Sequence, residues 1–222
     1  MNVLVAATRS MCVPYLCGKY DNTVGMMYSP DAKNDTLRPW PWMPWAIDNG
    51  MYQSIVQEKD WDERTFFKLI ELAHKYECPP EFIVVPDEPF DANRTRSKWD
   101  KWAPRLEDTG FTLAFSAQPG IVPSEIPAGV VAFIGGTNEF KLKETSGFVD
   151  ACQYVHVGRV NRYRHLVAFD KLGVKSVDGS GYLRGGYGTE AYTQLTRYLG
   201  WVAGGRVELQ TTLFDSCEKD SI

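Results

Sequence analysis

Short apolar runs that all break into polar or glycine residues at the same end constrain this chain most. WAIDNG ends on Asp48 and Asn49, FIVVPDE on Asp87 and Glu88, LAFSAQPG on Gln118, and VAFIGGTNE on Gly135 and Gly136. Tyr154 to Ser180 repeats the pattern with a run ending in His156 and Gly158, a basic helical segment, and Val174–Val177 ending on Asp178. Runs of this length, alternating with helix-period segments, read as parallel strands joined by right-handed crossovers. In such folds the residues at the carboxyl ends of the strands gather on one rim, where α/β proteins keep their chemistry.

The other strands read from the pattern are Val3–Ala7, Ala46–Asp48, Phe82–Val85, Phe111–Phe115, Val130–Ile134 and Tyr154–Val157. Val207–Phe214 is either an eighth strand or an outer tail. Asp62–Tyr76 carries a helical stripe (Phe66, Phe67, Leu69, Ile70, Ala73), with Asp62 as N-cap and Pro79 and Pro80 beyond its end. Asp91–Leu106, Lys143–Ala151, Asn161–Leu172 and Thr189–Ala203 are the remaining helices. Thr8–Trp45, with Pro30, Pro39, Pro41 and Pro44, reads as a long covering loop. Its Trp40, Trp42 and Trp45 are either a lid over the core or a stacking surface for bases.

Seven or eight strands point to an α/β fold, a compact (β/α)8 TIM-barrel-like single domain over 1–222. At 222 residues that fold needs reduced helices, and Ile121–Ile126 is too poor in helix formers for a full one. An open doubly wound sheet is the alternative. No GxGxxG follows the first strand, so dinucleotide binding has little support.

The net charge of −4 gives no global attraction for nucleic acid or an anionic membrane, so such binding needs a local patch. Five cysteines without a CxxC pair and only three histidines argue against a zinc subdomain and for reduced thiols. No metal or cofactor is expected. No apolar run reaches membrane-spanning length, and MNVLVAATRSM lacks the basic region of a signal peptide. The expectation is a cytoplasmic protein without a membrane partner.

Asp48, Asp87 and Asp178 are the candidates for chemistry. A strand-end carboxylate can serve as nucleophile, as general base, or as acceptor for a base's N–H groups. Each could instead cap a helix, although Asp87 between Pro86 and Pro89 is poorly placed for that. Gln118 suits an amide reading of a carbonyl and an N–H together, or a loop hydrogen bond. Gly135 and Gly136 either permit close approach of backbone to a flat ligand or form an ordinary turn, and Gly158 is a further candidate for substrate binding. His156 either packs in the barrel end or points at a ligand. Lys141, Lys143, Arg159, Arg162 and Arg164 neighbour one another if the strands run in barrel order, which makes them either a phosphate-binding patch or a solvated helix face.

The ordered set WAIDNG, VVPDE, SAQPG, FIGGTNEFK, VHVGRVN and GVKSVDGS resembles the tRNA-guanine transglycosylase superfamily, most of all its phage and bacterial DNA 7-deazaguanine transglycosylase-like branch. The similarity runs from Trp45 to about Gly181. It implies a TIM barrel and a base exchange in which an aspartate attacks the sugar C1′, guanine leaves, and a 7-deazaguanine such as 7-cyano-7-deazaguanine is installed. By position Asp178 resembles the nucleophile and Asp48 the general base. Asp87, Gln118, Gly135 and Gly136 resemble the residues that read the bound base. The tRNA enzymes carry a zinc site of three cysteines and a histidine that has no counterpart here, and this chain is much shorter. The resemblance therefore implies DNA, a nucleotide, or a complex with partner subunits, with tRNA disfavoured. Two alternatives remain: an N-glycosidase or exchanger acting on free nucleosides or nucleotides, and a non-catalytic nucleobase- or nucleic-acid-binding subunit.

Overall fold

The computed structural model describes residues 1–6, 10–30, 39–183 and 188–206. Eight parallel strands close a barrel in chain order. They are β1 (Asn2–Ala6), β2 (Val24–Tyr28), β3 (Trp45–Ile47), β4 (Ile83–Val84), β5 (Leu113–Ala117), β6 (Val131–Ile134), β7 (Val155–Val157) and β8 (Ser176–Gly179). The barrel closes where β1 pairs with β8, with Leu4 opposite Asp178. The helices are α1 (Cys12–Lys19), α2 (Met51–Val56), α3 (Glu63–Ala73), α4 (Ala92–Glu107), α5 (Asn138–Ala151), α6 (Tyr163–Leu172) and α7 (Glu190–Ala203). The (β/α)8 reading holds, and so does helix reduction: β5 and β6 are joined through a single 3-10 turn, Pro123–Glu125.

Alternation along the strands sorts the core into two layers. Val3 and Val5 face outward to the helices, together with Val24, Ile47 and Ile83. Leu4, Met27, Ala46, Phe82, Val84, Ala114 and Val131 fill the barrel interior. Helix starts follow their caps: Asp62 accepts from Thr65 N–H at 2.9 Å, Asp91 from Arg94 N–H at 2.9 Å, and Thr137 from Phe140 N–H at 3.2 Å.

The structure corrects the reading of Thr8–Trp45 as one loop, because that segment holds α1 and β2. α1 was hidden by Pro14 and Gly18, both poor helix formers, although Pro14 lies in the first turn, where its missing N–H costs nothing. β2, VGMMY, is buried at every position, so it shows no alternation, and Val24 is its only β-branched residue. Gly25 is required there, since a Cβ would collide with the Pro44 carbonyl oxygen. β2 is thus the strand that completes the count of eight. Val207–Phe214 lies outside the described residues. α5 starts at Asn138 rather than Lys143, because Thr137 caps it.

Candidate active site

All eight strands are parallel, so their carboxyl ends share one rim, and a cavity of about 690 Å³ opens there. Asp48, Asp87, Gln118, Gly135, Gly136, Gly158, Arg159 and Asp178 all line it. Lys141 lines it as well, whereas Lys143, Arg162 and Arg164 do not. Neither Trp40 nor Trp42 reaches the cavity. Their rings lie 5.2 Å apart and partly exposed in the segment leading into β3. Trp45 is buried, with its indole N–H donated to the Cys78 carbonyl at 3.2 Å.

One wall is built around Asp87. Asn49 Nδ2 donates to Asp87 Oδ1 at 2.9 Å and Gln118 Nε2 to Oδ2 at 2.7 Å. Asn49 is itself fixed by donating to the Val85 carbonyl and accepting the Met51 N–H. Gln118 Oε1 accepts the Phe90 N–H at 2.9 Å, so one N–H of Gln118 remains for a ligand. Lys98 donates to the Asp87 carbonyl at 2.9 Å and pairs with Glu88 at 2.8 Å, which locks the loop from below. Burial pushes the Asp87 carboxyl above the usual carboxylate range, against the pull of Asn49, Gln118 and Lys98. Gly135 is needed here because a Cβ would sit 2.5 Å from Gln118 Nε2. Ser116, on the same face of β5 as Gln118, points into this wall. Its buried hydroxyl lies near enough to Asp87 to favour the carboxylate, yet makes no hydrogen bond of acceptable geometry.

The facing wall carries Asp178. Its Oδ1 accepts the Arg159 N–H at 3.1 Å, and its Oδ2 lies 3.1 Å from His156 Nε2. Arg159 holds a left-handed backbone, φ 56°, uncommon for a residue with a side chain. Its guanidinium lies 3.9 Å over the Tyr52 ring at the mouth of the cavity. Gly158 keeps the approach open, since a Cβ would meet the Phe133 ring at 2.8 Å. His156 is fully buried and stacks on Phe133, so it sits beneath the site and holds Asp178 instead of lining the cavity.

The basic group divides in two. Lys141 and Lys143 are two residues apart on α5, about 200° around the helix. Lys141 is 2% exposed and donates to the Gly158 carbonyl at 2.8 Å. Burial, with help from the Arg159 charge and against the pull of Asp178, lowers its ammonium to about 8. Lys143 faces outward and pairs with Glu144 at 3.1 Å. Arg159, Arg162 and Arg164 are exposed around the β7–α6 connection. Burial, then the charges of Arg164, Arg162 and Lys141, lower the neighbouring His165.

Sequence reasoning did not assign Tyr52 or Ser116 to the site, nor give Asn49 a role. The signals were present: Asn49 follows Asp48 directly, and Ser116 precedes Gln118 by one strand repeat. Among the described residues no cluster of three or more His, Cys, Asp or Glu side chains is placed to hold a metal ion. Among them, too, no helix is long and apolar enough to cross a membrane. No known family's sequence model matches the chain, and no curated protein matches it.

Proposed function

We propose that the protein is a base-exchange transglycosylase that replaces guanine in DNA with a 7-deazaguanine derivative through an aspartyl intermediate. The observation that carries this reading is the pairing of two unlike carboxyl groups across one cavity. Asp178 is partly open, and its two oxygens are oriented by one N–H each. Asp87 is buried, with its carboxyl pushed above the usual carboxylate range, and is flanked by amides. The first arrangement suits a nucleophile and the second suits reading the N–H edge of a heterocycle. A volume of about 690 Å³ is adequate for a nucleobase with its sugar.

In the first half-reaction an Asp178 oxygen bonds to C1′, and the base leaves with the electron pair of the broken C–N bond. In the second, the incoming heterocycle loses its proton to Asp48 and its nitrogen displaces Asp178. Water in place of the heterocycle would make the same site an N-glycosidase. Arg159 at the cavity and the exposed Arg162 and Arg164 that follow it supply positive charge for a phosphate backbone. The test is incubation with DNA and 7-cyano-7-deazaguanine, followed by digestion to nucleosides and mass spectrometry. Modified deoxynucleoside supports exchange, and free guanine alone supports hydrolysis. Neither product from DNA, RNA or free nucleosides would remove the enzymatic reading.

A further inference from the structure

The interior of a (β/α)8 barrel is usually packed with branched apolar side chains. Here a continuous line of polar groups runs through it. Tyr154 Oη lies 2.7 Å from Glu81 Oε2 and 3.1 Å from Ser176 Oγ. Ser176 Oγ lies 2.7 Å from His156 Nδ1, and His156 Nε2 lies 3.1 Å from Asp178 Oδ2. Glu81 and Tyr154 precede β4 and β7, and Ser176 opens β8, so the line starts at the amino end of the barrel. It ends on Asp178 at the cavity. Phe82 packs edge-on against both Tyr154 and His156, and Phe133 covers the other side of the imidazole. At its far end Asn2 Nδ2 donates to the second Glu81 oxygen at 3.4 Å.

Counting hydrogens constrains this line. Its four links need four hydrogens. The Asp178 carboxylate can only accept, so Nε2 supplies one, and the two hydroxyls supply one each. Burial and the charge of Glu81 push Tyr154 well above the ordinary phenol value, so it keeps its proton. The fourth hydrogen has two homes. On Nδ1, each hydroxyl donates toward a Glu81 carboxylate. On Glu81, each hydroxyl donates toward Nδ1. The two placements differ only by one hop in each of the three links between Nδ1 and Glu81. A negative charge on Asp178 favours the proton on the ring, and its loss favours Glu81.

We propose that Glu81, Tyr154, Ser176 and His156 form a proton-sharing chain that orients Asp178 and passes one proton from His156 to Glu81 when Asp178 loses its charge. The coupling to chemistry rests on Asp178 being the nucleophile. When its oxygen bonds to the sugar carbon and the base departs with the electron pair, Asp178 becomes a neutral ester. The ring then releases its extra proton down the chain to the Glu81 carboxylate, and no proton enters or leaves the barrel. Reopening the ester runs the chain backward. His156 is a positioning residue, and Glu81 acts on the site from the opposite end of the barrel.

The test is imidazole ¹⁵N spectroscopy of the full-length, unliganded protein at neutral pH. With three histidines in the chain, H156Q assigns the ring. The wild-type ring should show both nitrogens protonated. D178N, which removes the charge and keeps the shape, should convert Nδ1 to an unprotonated acceptor. E81Q should do the same from the far end, because its amide donates up the chain. Y154F/E81Q, with the chain cut, should restore the wild-type signature. An E81Q ring identical to wild type overturns the proposal. A Y154F/E81Q ring identical to E81Q also overturns it, since the effect then passes through space. These signatures decide the chain whether or not the protein exchanges bases. A wild-type protein that never forms an adduct with DNA removes the base-exchange reading alone.

Discussion

Gln118 joins two loops through one amide, donating from Nε2 to Asp87 Oδ2 at 2.7 Å while its Oε1 accepts the Phe90 N–H at 2.9 Å. Gln118→Ala strands a buried carboxylate oxygen and a backbone N–H together. The expected cost is about 1–3 kcal/mol of stability, measured by urea unfolding. The loss should shrink in acid, because a protonated Asp87 needs fewer donors. A cost independent of pH would separate Gln118 from Asp87.

Asp178→Asn keeps the shape of the side chain and removes its charge. It should abolish the protein–nucleic acid adduct on a denaturing gel while the unfolding midpoint stays close to wild type. Near-normal turnover would exclude Asp178 as nucleophile.

Asp48→Asn should still form the adduct and release little exchanged product, because a base for the incoming heterocycle is needed only in the second half-reaction. A denaturing gel and a nucleoside assay on the same sample read both steps. Neither adduct nor product, with binding intact, would move Asp48 to the first step.

Arg159, Arg162 and Arg164 are exposed around the β7–α6 connection, and Arg159 lines the cavity. Replacing all three by Gln should weaken binding to DNA of any sequence. It should also reduce the slope of log affinity against log salt by about 2 to 3. An unchanged slope would place the nucleic-acid surface elsewhere. Binding of a free base should change much less, apart from the lost contact between Arg159 and Tyr52.

Lys141 carries a pH signature with a defined sign. Its folded value of about 8 lies below the unfolded 10.5, so the unfolded chain binds the proton more tightly. Stability should therefore rise between about pH 8 and 10.5 through this residue. Lys141→Met should lose that rise, as read from Tm across the window. It should also leave the Gly158 carbonyl without its ammonium donor and weaken phosphate binding in the cavity.

What was legible depended on which signal a residue carried. β4 to β8 could be read because each apolar run stops abruptly at a rim residue, and α3 because Asp62 caps a clean stripe. β2 and α1 could not, since Gly25 answers to the Pro44 carbonyl and β2 is buried on both faces. Within the site, strand ends announced Asp48, Asp87, Gln118 and Asp178, because position along a strand is a local property. The inward turn of Lys141 depends on helix phase, and the hold of His156 on Asp178 depends on the register that sets β7 beside β8. The partnership of Arg159 with Tyr52 needs barrel closure to bring distant loops together. None of these is encoded in a neighbouring residue.

The pairing of β8 with β1 has a consequence for synthesis. On the ribosome the strands emerge in order, so β1 waits as a bare edge of a growing open sheet until β8 has left the exit tunnel. Asp178 lies on β8, and its partners, His156 and the Arg159 N–H, come earlier in the chain and so leave the ribosome before it. Asp178 gains its neighbour on β1 in the same event that seals the barrel and hides its adhesive edge.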